Sequence, residues 1–547
     1  MLDFSSIRRD YSHAREHYSL AVPENFNFAF DVIDAKAAES PDQTAIVAVS
    51  GDGNDINHVS YQWLSQSSNQ FAHAIAALGL GAGDFAAVVI PRVPAWYTVM
   101  FACMKLGVIS MPGTSLLTGK DIAYRVQKSQ AKAVIVGEEH CELIDAVRES
   151  CPSLTTFIVV GEAREGWLSL EALCADESVE FDRDARPKNT ADDTMMAYFT
   201  SGTTSMPKLV PRSYGYGLAQ VATGLFWMDL QPDDLHWTLT DTGWSKAAWG
   251  MLFPQFLLGT AFVLYDGRGA FDADLHLRLI ETLGVTTFCA PPTVYRVFAN
   301  MDLSGYALGG LRRSFGAGEP LNPEAIRNWE AHTGTIIADG YGQTETVNIV
   351  ANFPDVPVRF GSMGKPVPGF DVDVIDDNGN RLPPDEIGHI AVKMTEPWPP
   401  GLFHGYFTGQ DEPLDTRAFK HGWYYTGDTA TRDADGYLWF IGRADDLITS
   451  AGYRISPFEV ESTLIEHEAV VESAVIAKPD DLRGEIVCAF VVLAEGFSGD
   501  EALVKTLQGF CKKQSAPFKY PREIRFVETL PKTISGKIRR VELRESL

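Results

Sequence analysis

Residues 200–208, TSGTTSMPK, form a polar segment with one glycine and a terminal Pro-Lys pair. Gly202 lets consecutive backbone N–H groups converge on an anion, and Lys208 adds a mobile positive charge. The segment is not a Walker A loop, because Lys208 follows a proline and precedes a leucine. Taken alone it fits a polyphosphate-binding loop or a Ser/Thr-rich surface turn. Its hydroxyl donors are Thr200, Ser201, Thr203, Thr204 and Ser205.

Other stretches carry side chains suited to nucleotide chemistry. Thr344 and Glu345 place a hydroxyl beside a carboxylate, and Asp428 follows a glycine where it could accept two hydrogen bonds from a ribose diol. Each stretch also has an ordinary structural interpretation, as a strand-end turn, a capping carboxylate, a polar linker or a solvated charged face. The stretches are DGYGQTE (339–345), GWYYTGD (422–428), GRADD (442–446), SAGYR (450–454) and PKTISGKIRR (531–540).

Alternating apolar runs and helical patterns surround these segments. Helical patterns such as AWYTVMFACMKLG (95–107) and ADLHLRLIETLG (273–284) have apolar residues at 3–4 spacing and end at glycine. Continuous apolar strands between such helices predict βαβ units with mainly parallel, buried sheets. The predicted strands are 85–91, 131–137, 155–161, 261–266, 286–291 and 335–342.

The pattern changes after about residue 370. Residues 371–393 alternate apolar and polar positions around an Asn-Gly pair, which predicts two antiparallel strands. The tail beyond residue 446 mixes helical and strand patterns and is long enough for a small separate domain.

Composition excludes several classes of protein. The length of 547 residues predicts more than one domain. The formal charge of −26 and the pI near 4.8 oppose a broad nucleic-acid-binding face. Its seven scattered cysteines favour free thiols in a reducing compartment. We find neither an apolar signal segment nor an apolar run of the ~18 residues that a spanning helix needs. A soluble, cytoplasmic protein without integral membrane association is therefore expected, as a monomer or a homodimer.

Together and in this order, the motifs resemble those of the adenylate-forming superfamily, which contains acyl-CoA synthetases, peptide-synthetase adenylation domains and luciferases. Residues 240–250, 316–324 and 442–461 are most similar to the medium-chain acyl-CoA synthetases. One departure is Ser205, where the family loop usually has glycine. The exchange reduces backbone freedom and adds a donor, so phosphate binding should persist with altered loop mobility.

The resemblance implies an α/β fold with a large N-terminal domain and a small mobile α+β C-terminal domain. The N-terminal domain, residues 1–443, would contain stacked, mainly parallel α/β sheets and a β-barrel-like subdomain over about 350–443. Residues 444–446 would be a hinge, and residues 447–547 the mobile domain.

The implied reaction consumes ATP, a carboxylic acid and coenzyme A, with Mg²⁺ as cofactor. The acid attacks the α-phosphorus to give acyl-AMP and pyrophosphate, and the thiol of coenzyme A then displaces AMP. Thr344, Glu345 and Lys537 would be catalytic, and Glu345 would also ligate Mg²⁺. The implied nucleotide-binding residues are Thr200, Ser201, Gly202, Thr203, Thr204, Ser205, Lys208, Glu319, Pro320, Asp339, Gly340, Tyr341, Gly342, Thr344, Asp428 and Arg443.

The same resemblance implies that the C-terminal domain rotates between the two half-reactions. Asp445 would be the hinge, and the rotation would withdraw Lys537 and bring the CoA-binding residues to the thioester site. Domain rotation of this kind needs only a few linker residues that absorb φ/ψ changes. The implied CoA-binding residues are Ser450, Gly452, Tyr453 and Arg454.

The acyl substrate is less constrained by the sequence. Trp244 and Gly342 are the implied acyl-pocket residues, although Trp244 could equally be a core aromatic. The segment 338–350 lacks the tryptophan that closes the pocket of acetate-selective relatives, which favours a medium-chain, branched or aromatic acid. Alternatives are a benzoate-type CoA ligase, acyl transfer to a carrier protein, and a catalytically inactive binding protein.

Overall fold

The computed structural model describes residues 2–185, 188–200, 206–318, 323–451, 453–515, 518–533 and 537–547. The chain forms two compact units. The first contains Met1–Thr200, Leu209–Asp371 and Met394–Arg417, and the second contains Ser201–Lys208, Val372–Lys393 and Ala418–Leu547. The domain boundaries expected from the sequence stay a prediction.

Strands over the described residues are, in chain order, β1 Thr44–Val49, β2 Ile56–Ser60, β3 Phe85–Val89, β4 Ile109–Pro112, β5 Ala133–Gly137, β6 Thr156–Val160, β7 Leu168–Ser169, β8 Thr194–Phe199, β9 Leu209–Ser213, β10 Leu235–Thr238, β11 Ala261–Tyr265, β12 Thr287–Ala290, β13 Arg313–Ala317, β14 Ile337–Gly342, β15 Asn348–Ala351, β16 Lys365–Pro366, β17 Val372–Ile375, β18 Gly388–Lys393, β19 Phe419–Lys420, β20 Trp423–Arg432, β21 Leu438–Arg443, β22 Ile448–Ser450, β23 Tyr453–Ile455, β24 Val470–Asp480, β25 Gly484–Leu493 and β26 Glu523–Phe526.

The α-helices are α1 Tyr11–His17, α2 Ala35–Glu39, α3 Tyr61–Ala77, α4 Ala95–Leu106, α5 Gly119–Ser129, α6 Cys141–Asp145, α7 Leu170–Cys174, α8 Tyr214–Ala219, α9 Lys246–Gly250, α10 Phe253–Leu258, α11 Ala273–Leu283, α12 Pro292–Ala299, α13 Pro323–Thr333, α14 Pro457–Ile465, α15 Glu501–Gln514 and α16 Arg540–Glu545.

Two α/β sheets build the first unit, which confirms the fold class expected from the sequence. One has nine strands in the order β16-β15-β14-β13-β12-β10-β11-β1-β2, and the other has seven in the order β7-β6-β5-β3-β4-β8-β9. Pairing from β1 through β11, β10, β12 and β13 to β14 is parallel. In the described part of the seven-stranded sheet, β8 and β9 pair antiparallel and the other strand pairs are parallel.

Helix α4 explains how the two sheets share a core. Its sequence predicts one apolar face, yet every residue from Trp96 to Leu106 is buried. The helix follows β3 of the seven-stranded sheet, and its Tyr97 ring lies 5.8 Å from the Phe262 ring on β11 of the nine-stranded sheet. A helix covered on opposite sides is buried all round, so amphipathic spacing underestimates its burial.

The second unit contains two five-stranded sheets. In the first, β17 and β18 pair antiparallel, as residues 371–393 predicted, and β20 pairs with β18, β19 and β21. The other has the order β23-β22-β25-β24, with β26 parallel to β25. Helix α14 starts with a Ser456 cap and Pro457 at its first position.

Candidate active site

Motifs of the first unit meet at one edge of the nine-stranded sheet. Strands β10, β12, β13 and β14 run parallel, so their carboxyl ends lie at the same edge. Segments 240–246 and 339–345 follow or end β10 and β14, and Gly318 follows β13. Ligands in open α/β sheets bind outside the carboxyl ends of the strands, so this edge is the candidate site.

Thr344 lies in the turn between β14 and β15. Its hydroxyl is 3.1 Å from the hydroxyl of Ser245, which directly precedes α9. The two hydroxyls join the segments that follow β10 and β14. Both are oxygen donors that could hydrogen-bond an anionic oxygen placed at this edge.

Glu345 is held from both its side chain and its backbone. Tyr406 donates its hydroxyl to Glu345 Oε1 at 2.8 Å, and the Phe403 N–H donates to the Glu345 carbonyl at 2.9 Å. Arg212, which is 1% exposed, donates to the same carbonyl at 2.7 Å and also to the Gly401 carbonyl. Its guanidinium lies 3.9 Å from the Tyr216 ring centroid. The Tyr406 hydrogen bond orients the carboxylate, and the bonds from Phe403 and Arg212 hold the Glu345 backbone.

A cation and a carboxyl group lie beside the same edge. Lys246, the first residue of α9, donates to the Ala317 carbonyl at 3.0 Å. Desolvation by burial raises the pKa of Asp339 on β14 to about 8. A 2.9 Å hydrogen bond from the Gly340 N–H and the positive charge of Lys246 lower this pKa, but by less than burial raises it. Asp339 is therefore mostly protonated at neutral pH.

Tight packing surrounds the end of β14. A Cβ on Gly340 would lie 2.6 Å from the Trp227 ring, and a Cβ on Gly342 would lie 2.5 Å from the Val347 carbonyl oxygen. Tyr341, between them, is half-buried. The Trp227 ring contacts Trp249 at 5.1 Å and Phe315 at 5.3 Å, which forms an aromatic cluster beside this strand.

Trp244, the predicted acyl-pocket wall, lies in the turn before α9. It is half-buried, and its backbone N–H donates to the Asp241 carbonyl at 3.2 Å. Neighbouring Gly243 is essential to this turn, since a Cβ there would lie 1.8 Å from the Thr114 nitrogen. The role of Trp244 stays a prediction.

The predicted phosphate loop connects two antiparallel strands. Thr200 follows β8 and is half-buried, and exposed Lys208 directly precedes β9. Several of the predicted nucleotide- and CoA-binding residues lie outside the described residues: Ser201, Gly202, Thr203, Thr204, Ser205, Glu319, Pro320 and Gly452.

In the second unit, Asp428 and Arg443 are cross-strand neighbours. They are paired in the register of β20 and β21, and Arg443 Nη1 donates to Asp428 Oδ1 at 3.2 Å. Asp428 is 6% exposed. Gly427 has φ +78°, a conformation that favours glycine, and the Arg443 guanidinium would lie 3.0 Å from a Cβ there. The strand pairing thus places the carboxylate and the guanidinium side by side.

The predicted hinge and CoA-binding residues follow this pair. Asp445 is exposed within a 3-10 turn, Ala444–Asp446. Ser450 is buried on β22 and pairs with Tyr453 on β23, whose exposed ring stacks on Phe518 at 4.3 Å. Arg454 pairs with Thr449 through the same hairpin.

Lys537 is exposed near the C-terminus of the chain. The backbone N–H of Lys537 donates to Thr533 Oγ1 at 3.1 Å, and the backbone carbonyl of Lys537 accepts from the Thr533 N–H at 2.7 Å. Ile538, the next residue, forms a β-bridge with Lys532.

Across the described ranges, no group of three or more His, Cys, Asp or Glu side chains could hold a metal ion. None of the helices in these ranges has the length and apolarity needed to cross a membrane.

Sequence reasoning missed four residues that hydrogen-bond to the motif segments. Two of them, Ser245 and Tyr406, contact motif side chains, and the other two, Lys246 and Arg212, contact backbone carbonyls. Ser245 and Lys246 lie in a segment singled out from the sequence, but nothing local distinguishes them from Trp244. Arg212 and Tyr406 are 133 and 61 residues from Glu345 and carry no local signal of that contact.

Comparison with known proteins places this arrangement in a family context. The model of the AMP-binding enzyme family matches residues 33–407, and that of the AMP-binding enzyme C-terminal domain matches residues 459–537. The chain is 44% identical to the acyl-coenzyme A synthetase ACSM4, mitochondrial, of Homo sapiens, over 100% of this chain and 93% of that protein. It is 41% identical to the acyl-coenzyme A synthetase ACSM3, mitochondrial, of Mus musculus, over 98% of this chain and 93% of that protein.

A solved structure resembles the whole chain. The anthranilate CoA ligase AuaEII, in complex with anthranoyl-AMP, is 31% identical with a TM-score of 0.85, covering 96% of this chain and 98% of that one. These findings confirm the resemblance to medium-chain acyl-CoA synthetases. They contradict the expected cytoplasmic location, because both curated relatives are mitochondrial. The expectation was wrong because scattered free cysteines do not distinguish between compartments that keep thiols reduced.

Proposed function

We propose that this chain, which belongs to the AMP-binding enzyme family and is an AMP-forming acyl-CoA synthetase, activates a medium-chain, branched or aromatic carboxylic acid. ATP-dependent acid–CoA ligation proceeds through acyl-AMP. The carboxylate oxygen forms a bond to the α-phosphorus while the bond to pyrophosphate breaks. The thiolate sulfur of coenzyme A then bonds to the acyl carbon, and AMP leaves.

The observation that carries the proposal is the convergence at the carboxyl edge of β14. There the Thr344 hydroxyl meets Ser245 at 3.1 Å, and the Glu345 carboxylate is oriented by Tyr406 at 2.8 Å. The substrate supplies its own nucleophile, so the protein needs only to position the reactants and neutralise charge. We assign the Thr344 hydroxyl as a hydrogen-bond donor to an α-phosphate oxygen of ATP.

The remaining nucleotide roles follow the motifs. The loop 200–208 would hold the β- and γ-phosphates, with Lys208 as its cation. Asp428 suits the ribose hydroxyls because it is an acceptor held in place by Arg443 at 3.2 Å. Gly340, Tyr341 and Gly342, with Glu319 and Pro320, would frame the adenine.

Glu345 also suits Mg²⁺. The ion is a hard cation that usually takes one or two carboxylates together with phosphate oxygens, rather than a closed cage of protein ligands. One oriented carboxylate at the edge where the phosphates would bind fits that preference. Bound Mg²⁺ would neutralise charge on the phosphates.

Asp339 has a chemistry suited to the adenine edge. With its pKa raised to about 8 by desolvation, the group is a neutral carboxylic acid at pH 7. A neutral acid donates through its O–H and accepts through its carbonyl. Adenine presents the complementary pair, an acceptor at N1 and a donor at the 6-amino group.

Asp339→Asn is therefore expected to preserve ATP binding and remove part of its pH dependence. In the wild type, deprotonation above pH 8 removes the donor, so KM for ATP should rise about tenfold from pH 7 to pH 9. The asparagine variant keeps a donor and an acceptor at all pH values, so its KM should stay nearly constant. If KM for ATP changes with pH in the same way in the wild type and in Asp339→Asn, this role of Asp339 is refuted.

The thioester step would use the second unit. Ser450, Gly452 and Tyr453 would line the pantetheine path, and Arg454 would contact coenzyme A. The exposed Tyr453 ring, stacked on Phe518, offers an apolar surface to the pantetheine chain. We propose that residues 447–547 rotate about Asp445 between the two half-reactions, while residues 1–443 stay in place.

The aromatic cluster of Trp227, Trp249 and Phe315 supports a substrate with an apolar body. The Trp227 ring lies beside Gly340 of β14, where a Cβ would lie 2.6 Å from it, and Trp249 and Phe315 pack on Trp227. Apolar pockets discriminate one methylene by only ~1–3 kcal/mol, so several acids should react. Trp244 and Gly342 are the proposed pocket residues, and medium-chain fatty acids and benzoates are the first to test.

Pyrophosphate release tests the proposal. The protein is incubated with ATP, Mg²⁺, coenzyme A and acids from acetate to dodecanoate, with branched acids and benzoates. We expect AMP, pyrophosphate and acyl-CoA in equal amounts with medium-chain or aromatic acids. Transfer to a holo carrier protein but not to free coenzyme A would contradict the ligase assignment, and so would the absence of pyrophosphate with every acid.

A further inference from the structure

The carboxylate of Asp446 is bound by two arginines from the last helix of the chain. Arg544 donates to Asp446 Oδ1, and Arg540 Nη1 lies 3.7 Å from Oδ2. The Asp446 side chain is 9% exposed, although Asp445 beside it is exposed. One residue after the proposed hinge, the chain is therefore attached to α16.

Arg540 extends this attachment to the sheet of the second unit. Its Nη2 donates to Glu461 Oε1 on α14 at 2.6 Å, and its Nε donates to the Val475 carbonyl on β24 at 3.1 Å. Glu461 Oε1 also accepts from the Val475 N–H at 2.7 Å. Two carboxylates and two guanidiniums thus form a neutral cluster, and groups held on several sides have little freedom to move.

Helix α16 begins three residues after Lys537. Ile538, the residue after Lys537, forms a β-bridge with Lys532 and packs against a core cluster that includes Leu543 of α16. The position of α16 consequently sets the position of the segment that carries Lys537.

We propose that Asp446, Arg540 and Arg544 are positioning residues that make rotation at Asp445 carry Lys537 with it. The inference rests on the proposed function, because it assumes that Lys537 acts in acyl-AMP formation. Without the cluster, the hinge turn and α16 would move independently, and the Lys537 amine would reach the reacting oxygens less often. Displacement by about 1 Å can cost 10²-fold in rate, so adenylation is the sensitive step.

The variant Arg544→Gln tests this coupling. We expect the kcat of acyl-AMP formation to fall about tenfold or more, with KM for ATP and for the acid nearly unchanged. Thioester formation from supplied acyl-AMP should stay within about twofold of wild type, since it does not need Lys537. Hydrogen exchange of the amides in 537–547 should accelerate in the same variant.

Two further variants serve as controls. Arg544→Lys keeps the charge beside Asp446 and should restore most of the adenylation rate. Glu523 on β26 is another carboxylate of this unit that two cations bind, Lys478 at 2.5 Å and Arg525 at 2.8 Å. Glu523→Gln removes this carboxylate and should leave both half-reactions unchanged.

Two outcomes would overturn the inference. One is wild-type adenylation by Arg544→Gln, and the other is an equal loss in both half-reactions, which would indicate a merely structural role. Failure of the proposed function is distinguishable, because the wild type itself would then release no pyrophosphate with any acid. Failure of the role assigned to Lys537 would appear instead as wild-type adenylation by Lys537→Ala.

Discussion

Lys537→Ala is expected to slow acyl-AMP formation by about 100-fold or more while sparing thioester formation from supplied acyl-AMP. The amine would stabilise charge that develops between the carboxylate and the α-phosphate, and removing one such donor has effects of this size. The lysine ammonium is a compact charge on a long side chain, and Lys537 is exposed. Both features suit a group that domain rotation brings to the reacting atoms and then removes. Pyrophosphate release in a single turnover measures the first step, and acyl-CoA formation from acyl-AMP measures the second.

Lys532→Ala is the matched control for this experiment. Lys532 lies five residues away and pairs with Glu472 at 2.6 Å, with both side chains 41% exposed. Exposed pairs contribute little, so both half-reactions should be preserved. Wild-type pyrophosphate release by Lys537→Ala would show that its assigned role is wrong.

Asp445→Pro is expected to arrest the cycle after the first step. Proline fixes φ near −65°, which the 3-10 turn Ala444–Asp446 accommodates but which a rotation about residue 445 would have to change. Acyl-AMP formation should stay near the wild-type rate, and transfer to coenzyme A should fall about 100-fold. Quenched-flow analysis should show acyl-AMP accumulating on the enzyme.

Asp445→Ala separates backbone restriction from loss of the carboxylate. The Asp445 side chain is exposed, and alanine leaves φ free, so this variant should complete both steps. If Asp445→Pro makes acyl-CoA at the wild-type rate, residue 445 is not the hinge. Loss of both steps in the proline variant would also contradict the account.

The sequence predicted the elements that carry the site because their signals are local. Apolar runs with turn residues located β14 and placed Thr344 and Glu345 directly after it. The Asn-Gly pair likewise predicted the antiparallel pairing of β17 with β18, which the structure confirms. Family resemblance then supplied roles for residues whose types alone left several interpretations open.

Contacts between distant segments could not be predicted in the same way. The hydrogen bond of Ser245 to Thr344 spans 99 residues, and the pair of Arg544 with Asp446 spans 98. Two adjacent aspartates, 445 and 446, are equivalent in the sequence, and only packing determines that one is exposed and the other buried. The carboxyl group of Asp339 similarly owes its raised pKa to burial, which appears only once the chain has folded.

The most direct measurement follows the oxygen atoms of the acid. A carboxylate labelled with ¹⁸O at both oxygens is turned over with ATP and coenzyme A, and the products are analysed by mass spectrometry. Because the carboxylate itself attacks the α-phosphorus, the account predicts one ¹⁸O atom in each AMP and one in each acyl-CoA. AMP without label, or label in phosphate or pyrophosphate, would contradict it.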